Sequence, residues 1–171
     1  MGSVFLKESS SNDSIIKYCS FEGAILEIEN SVTIDHNKFQ DRVIEISKNG
    51  SPSIKYNTFT ATGGECLIIK DPTSIVAPII TYNEFQNIFA FGISLSVGDS
   101  PTIENNNITN CFAGGICWYN EDDPTNKLEI KGNYIADCAN KVGVDTTGEQ
   151  CSNVIYETYR ITPVEGTGCG W

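Results

Sequence analysis

Three groups of side chains have types and spacings that could do chemistry. Glu27 and Glu45 hold the same place in two successive segments, Leu26-Glu27-Ile28 and Ile44-Glu45-Ile46. Two outward carboxylates about 5 Å apart would match the acid and nucleophile of a retaining glycosidase. They would equally share a cation, or simply splay apart as a solvated face. The run Asn120-Glu121-Asp122-Asp123 follows Trp118-Tyr119. Glu121, Asp122 and Asp123 are the candidate metal ligands, for calcium, although the run lacks the spacing of an EF-hand loop. An ordinary polar loop is the plain alternative, and calcium is the only cofactor suggested.

The third group is aromatic: Tyr18, His36, Tyr56 and Tyr82. Facing outward, such rings would offer a platform and hydroxyls to a sugar, with Tyr56 and Tyr82, joined by Tyr119, as candidate ligand contacts. Alternation from an inward Ile34 predicts instead that they turn half inward and cover a corner of the core. His36 has no serine or cysteine partner fixed by a motif, so a triad mechanism is not indicated.

The elements that position these residues are repeats. Ile34-Asp35-His36-Asn37-Lys38-Phe39 recurs as Ile54 to Phe59 and as Ile80 to Phe85. Ile103 to Ile108 and Ile130 to Ile135 keep the pattern, and Ile16 to Phe21 is a copy with Cys19 in the asparagine place. Key positions 19, 37, 57, 83, 106 and 133 are separated by 18, 20, 26, 23 and 27 residues. Constant strands with loops of varying length describe a solenoid. A second apolar segment follows each copy, most of them alternating with the period of two of a half-buried strand. Gly63-Gly64 and Gly114-Gly115 punctuate them, and Pro52, Pro78 and Pro101 stand just before a strand, where proline is tolerated.

The reading is all-β: a single-stranded parallel β-helix of about six to seven coils, roughly 30 to 35 Å long at 4.8 Å per coil. Asn37, Asn57, Asn83, Asn106 and Asn133 would stack as a structural ladder, in a bend whose left-handed backbone asparagine tolerates. Residues 1–13 read as a partial first coil or the start of an excised piece, 14–146 as the repeats, and 147–171 as a capping segment. Cys111 and Cys138, five residues past the key position in adjacent coils, would lie within reach of a disulfide. A reduced pair is equally open.

The net charge of −11, from 22 acidic and 11 basic residues among 171, argues against nucleic acid. No stretch is long and apolar enough to span a membrane, and no signal peptide is visible at Met1-Gly2-Ser3. The seven cysteines, without a CxxC, lean towards an oxidising compartment, hence a secreted or cell-surface setting.

Ser51-Pro52-Ser53-Ile54 with Asn57 and Phe59, and Ser100-Pro101-Thr102-Ile103 with Asn106 and Ile108, resemble the repeats of right-handed parallel β-helix proteins of the pectate-lyase-like superfamily. Gly114-Gly115-Ile116 adds a glycine-rich approach to a strand that surface-protein members share. The resemblance covers residues 14 to 146 and implies right-handedness. It does not imply one activity, because the superfamily spans lyases, hydrolases, epimerases, tailspikes and non-catalytic surface modules. The Asn-Thr-Asp, Gly-His-Gly and Arg-Ile-Lys signatures of its hydrolases do not occur as a set, and Arg42 and Arg160 sit in no lyase signature. The expectation is therefore a non-catalytic module of a secreted or cell-surface protein. Its partner would be a polysaccharide or cell-surface glycan. A carbohydrate-active enzyme (polysaccharide lyase, hydrolase or epimerase) using Glu27 and Glu45, or a tailspike-like fibre unit, is the alternative.

Overall fold

A computed structural model describes residues 2–7, 11, 13–41, 43–47, 50–60, 63–70, 77–95, 101–120, 128–138, 142–146 and 154–157. Their secondary structure is entirely β, in three parallel sheets. The first sheet stacks β1 (Gly2–Leu6), β4 (Ala24–Ile28), β7 (Ile44–Ser47), β10 (Leu67–Lys70), β13 (Phe91–Leu95), β16 (Gly114–Asn120) and β19 (Val142–Thr146). The second stacks β2 (Ile15–Lys17), β5 (Thr33–Asp35), β8 (Ser53–Lys55), β11 (Ile79–Thr81), β14 (Thr102–Glu104), β17 (Leu128–Lys131) and β20 (Val154–Glu157). The third stacks β3 (Ser20–Glu22), β6 (Lys38–Gln40), β9 (Thr58–Thr60), β12 (Glu84–Ile88), β15 (Asn107–Cys111) and β18 (Tyr134–Ala136). The chain visits one strand of each sheet in turn and then rises to the next coil, a parallel β-solenoid. The segment expected to cap the rod contributes β20, which pairs in register with β17.

The sheets turn columns of apolar residues inward, two of them in the first sheet, where Ile28, Ile46, Ile69 and Leu95 form the second. Leu26, Ile44, Leu67, Ile93 and Ile116 are fully buried in the first sheet, and Ile34, Ile54, Ile80, Ile103 and Ile130 in the second. The third sheet supplies rings: Phe21, Phe39, Phe59 and Phe85 stack face to face with centroids 4.6–4.9 Å apart. Alternating β-branched residues suit this pleated, one-sided burial. A fully buried aliphatic side chain contributes about 1.5–3 kcal/mol, so columns repeated over every coil hold the rod together.

The asparagines line the bend between the second and third sheets. Asn37, Asn57, Asn83, Asn106 and Asn133 are all buried. Each Oδ1 accepts from the backbone N–H of the residue at the same place in the preceding coil, at 2.8–2.9 Å. Each Nδ2 donates to the carbonyl of the isoleucine opening the preceding copy, such as Asn57 to Ile34 at 2.9 Å and Asn133 to Ile103 at 2.7 Å. Between Asn37 and Asn133 every Nδ2 also donates to the next Oδ1. Buried peptide groups at the bend, which no strand can pair, are thereby satisfied.

One expectation is corrected here. The left-handed residue is not the asparagine but the one before it: Tyr18, His36, Tyr56, Tyr82 and Asn105, all at φ 53–56°, and Gly132 at 64°. Amide stacking needs the asparagine side chain pointing inward, so the sharp turn falls on its neighbour.

Candidate functional site: an aromatic ridge along the asparagine bend

A left-handed residue directs its side chain away from the rod. This overturns the expectation that Tyr18, His36, Tyr56 and Tyr82 turn half inward. Tyr18 is 73%, Tyr82 52% and Tyr56 47% exposed. The bend is locked between coils, because the N–H of each left-handed residue donates to the carbonyl just before the corresponding residue of the next coil. Examples are Tyr56 to Thr81 at 3.3 Å and Tyr82 to Glu104 at 3.2 Å.

The rings form a row along the rod. Tyr18 and His36 are 5.4 Å apart and tilted by 45°, His36 and Tyr56 are stacked at 5.0 Å, and Tyr56 and Tyr82 at 5.3 Å and 12°. Rings side by side in one plane would need about 6.5 Å, two ring radii plus a carbon contact. The row is therefore a ridge of inclined rings rather than a flat platform. It presents ring edges and hydroxyls along its length. Beyond Tyr82 the row ends in small groups: Asn105, then Gly132, where a Cβ would run into Asn105 Oδ1.

A buried carboxylate orients the histidine. Asp35 Oδ2 accepts from Lys17 Nζ at 2.8 Å, and Asp35 Oδ1 is hydrogen-bonded to His36 Nδ1. Burial alone would push the Asp35 carboxyl up, but the hydrogen bonds from Lys17 and His36 outweigh it and hold it below the ordinary value. Lys17 is raised in return, chiefly by its hydrogen bond to Asp35. With Nδ1 engaged by the carboxylate, the ring of His36 leaves Nε2 as its remaining polar atom. The ridge thus carries tyrosine hydroxyls and an imidazole nitrogen in one line.

The other sequence candidates sit elsewhere. Glu27 and Glu45 are register partners on the outer face of the first sheet, half-buried, in a column between Phe5 and Ile68. A shallow hollow of about 290 Å³ near them is lined by Ile25, Asp41, Val43, Gly63, Glu65 and Ile68, and by neither carboxylate. The backbone of Tyr119 pairs with Asp145 in the first sheet. The Tyr119 side chain, Glu121, Asp122 and Asp123 lie outside the described residues. Among those described, no three acidic, histidine or cysteine side chains gather as a metal site.

Sequence reasoning missed a second bend, between the third and first sheets. Gly23, Asp41, Asn87, Asn110 and Asp137 are left-handed there, and Asn110 Nδ2 donates to Asn87 Oδ1 at 2.6 Å. Beside it Phe89 and Phe112, 70% and 73% exposed, stack at 5.5 Å. With Asn87, Asn110, Cys111 and Asp137 they line a hollow of about 480 Å³. The signal lay in Asn87-Ile88-Phe89-Ala90 and Asn110-Cys111-Phe112-Ala113, spaced like ladder residues Asn83 and Asn106. Cys111 and Cys138, near this bend, are both thiols.

Comparison with curated proteins and with solved structures finds no match. A family model described as "Right handed beta helix region" matches residues 2–125 and 77–169. Together with three parallel sheets visited once per coil, this match places the chain in the right-handed β-helix family.

Proposed function

We propose that this β-helix is a non-catalytic glycan-binding module of a secreted or cell-surface protein, and that the Tyr18–His36–Tyr56–Tyr82 ridge is its contact surface. The observation that carries the reading is the choice of residue at the left-handed positions. Glycine, asparagine and aspartate fill such positions with least strain, and the left-handed residues described at the bend between the third and first sheets, Gly23, Asp41, Asn87, Asn110 and Asp137, are all of these types. At the bend between the second and third sheets, four successive coils place aromatic rings there instead, on the outside of the rod. Residues held in sparsely populated conformations cluster at functional sites. A linear row of hydroxyls, imidazole and ring edges suits an extended polysaccharide. The acidic chain, net charge −11, favours a neutral glycan over a uronate.

A glycan array, with and without calcium, identifies the ligand, and product analysis on any glycan bound tests for bond cleavage. Tyr56→Asn and Tyr82→Asn separate ligand contact from fold support. Binding should fall at least about tenfold, the loss of one good contact, while the melting temperature holds or rises because the strain is relieved. A fall in melting temperature with unchanged binding would assign the rings to the fold alone. Shortened or unsaturated products would return attention to Glu27 and Glu45.

A further inference from the structure

Two thiols on adjacent coils have no part in the ridge. Ala136 is the register partner of Thr109, so two residues further on Cys138 stands over Cys111. Neighbouring parallel strands bring α-carbons to about 4.8 Å, inside the window of about 4.4–6.8 Å that a disulfide spans. Cys111 is buried and Cys138 half-buried. Each Sγ also donates to the carbonyl two residues earlier, Cys111 to Thr109 at 3.8 Å and Cys138 to Ala136 at 3.3 Å. Cys111 lines the hollow under Phe89 and Phe112, beside Asp137. The hollow opens beside Asp137, the residue before Cys138, whose own thiol is half-buried.

We propose that Cys111 and Cys138 form a thiol–disulfide exchange site that reacts with small disulfides of the glutathione class and closes a bond between adjacent coils. Cys138, the more accessible, is the attacking thiol. Its thiolate attacks one sulfur of the small disulfide, the disulfide bond breaks, and one small thiolate leaves and takes up the proton Cys138 gave up, departing as a thiol. Cys111 then loses its proton to solvent and attacks Cys138 Sγ, and the second small thiol departs. The two protein thiols have then lost two electrons and two protons, and one small disulfide has become two thiols. The hydrogen bond from Cys111 lowers the Cys138 thiol from its ordinary value. The same contact, with burial, raises Cys111, which suits a resolving rather than an attacking role.

The test is incubation of the full chain with oxidised glutathione, followed by intact-mass measurement and peptide mapping. The expected result is a peptide linking Cys111 to Cys138, with no glutathione retained on either of these two cysteines, and a higher melting temperature for the oxidised chain. Cys111→Ala should trap glutathione on Cys138. Glutathione retained on Cys111 or Cys138 of the wild-type chain, a link from Cys111 to Cys66, or unreacted thiols at both positions would each overturn the proposal. The wild-type map decides the matter even if the variant fails to fold.

Discussion

Asp35 is a carboxylate kept charged inside a wall of the rod by Lys17 and His36. Its lowered pKa has a definite consequence for stability. A carboxyl whose folded value lies below its unfolded value stabilises the fold above the unfolded value, and that stability is lost as pH falls through the folded one. The stability gap between wild type and Asp35→Asn should therefore be level above the ordinary value of 3.8 and close as pH falls below it. Urea unfolding of both proteins as a function of pH checks this, and a gap that widened on acidification would refute it. Residues 17, 35, 55, 81, 104 and 131 read Lys, Asp, Lys, Thr, Glu, Lys along the sequence, and the strand registers join them in that order, setting most opposite charges side by side. That Asp35 would also hold His36 was not legible. The contact depends on the left-handed turn between them, which leaves no mark in residue spacing.

Strands were more legible than bends. Ile-x-x-Asn-x-Phe fixes which residues point inward, and every described inward isoleucine of the second sheet lies where that template puts it. The bend was misplaced by one residue, because asparagine's tolerance of left-handed backbone was credited to a residue used for its amide. Tyrosine and histidine at the true position give no such signal. The inner ring column was also not foreseen as a stack, since phenylalanine in a repeat says only that the place is apolar. Phe59 sits between Phe39 and Phe85 at 4.9 and 4.6 Å and is fully buried. Phe59→Ala leaves a void between two rings in a close-packed column and should cost about 3–5 kcal/mol. Phe59→Leu, which refills most of the volume, should cost clearly less in the same denaturant titration.

For the whole molecule, the parallel solenoid and its sheet-forming segments followed from the repeat, whereas the outward direction of the aromatic column did not. A solenoid's strands are fixed by stacking, whereas the direction of a bend side chain depends on a left-handed turn that residue spacing does not mark. The acidic balance allows one test at this scale. If the ridge binds a neutral glycan through hydroxyls and rings, affinity should change less than about threefold between roughly 0.05 and 0.5 M salt, because no ion pair is being screened. A steep loss of binding with salt, measured by calorimetry, would point instead to a charged ligand.

The asparagine column has an electrical consequence. From Asn37 to Asn133 every side-chain amide donates towards the following coil, so the amide dipoles add, whereas antiparallel neighbours would cancel. Hydrogen bonds chained in one sense polarise one another, which makes the column a small wire with a positive and a negative end. The rod is thus a vector as well as a cylinder. Two such rods meeting end to end would be drawn head to tail, and a head-to-head pair would set like poles together.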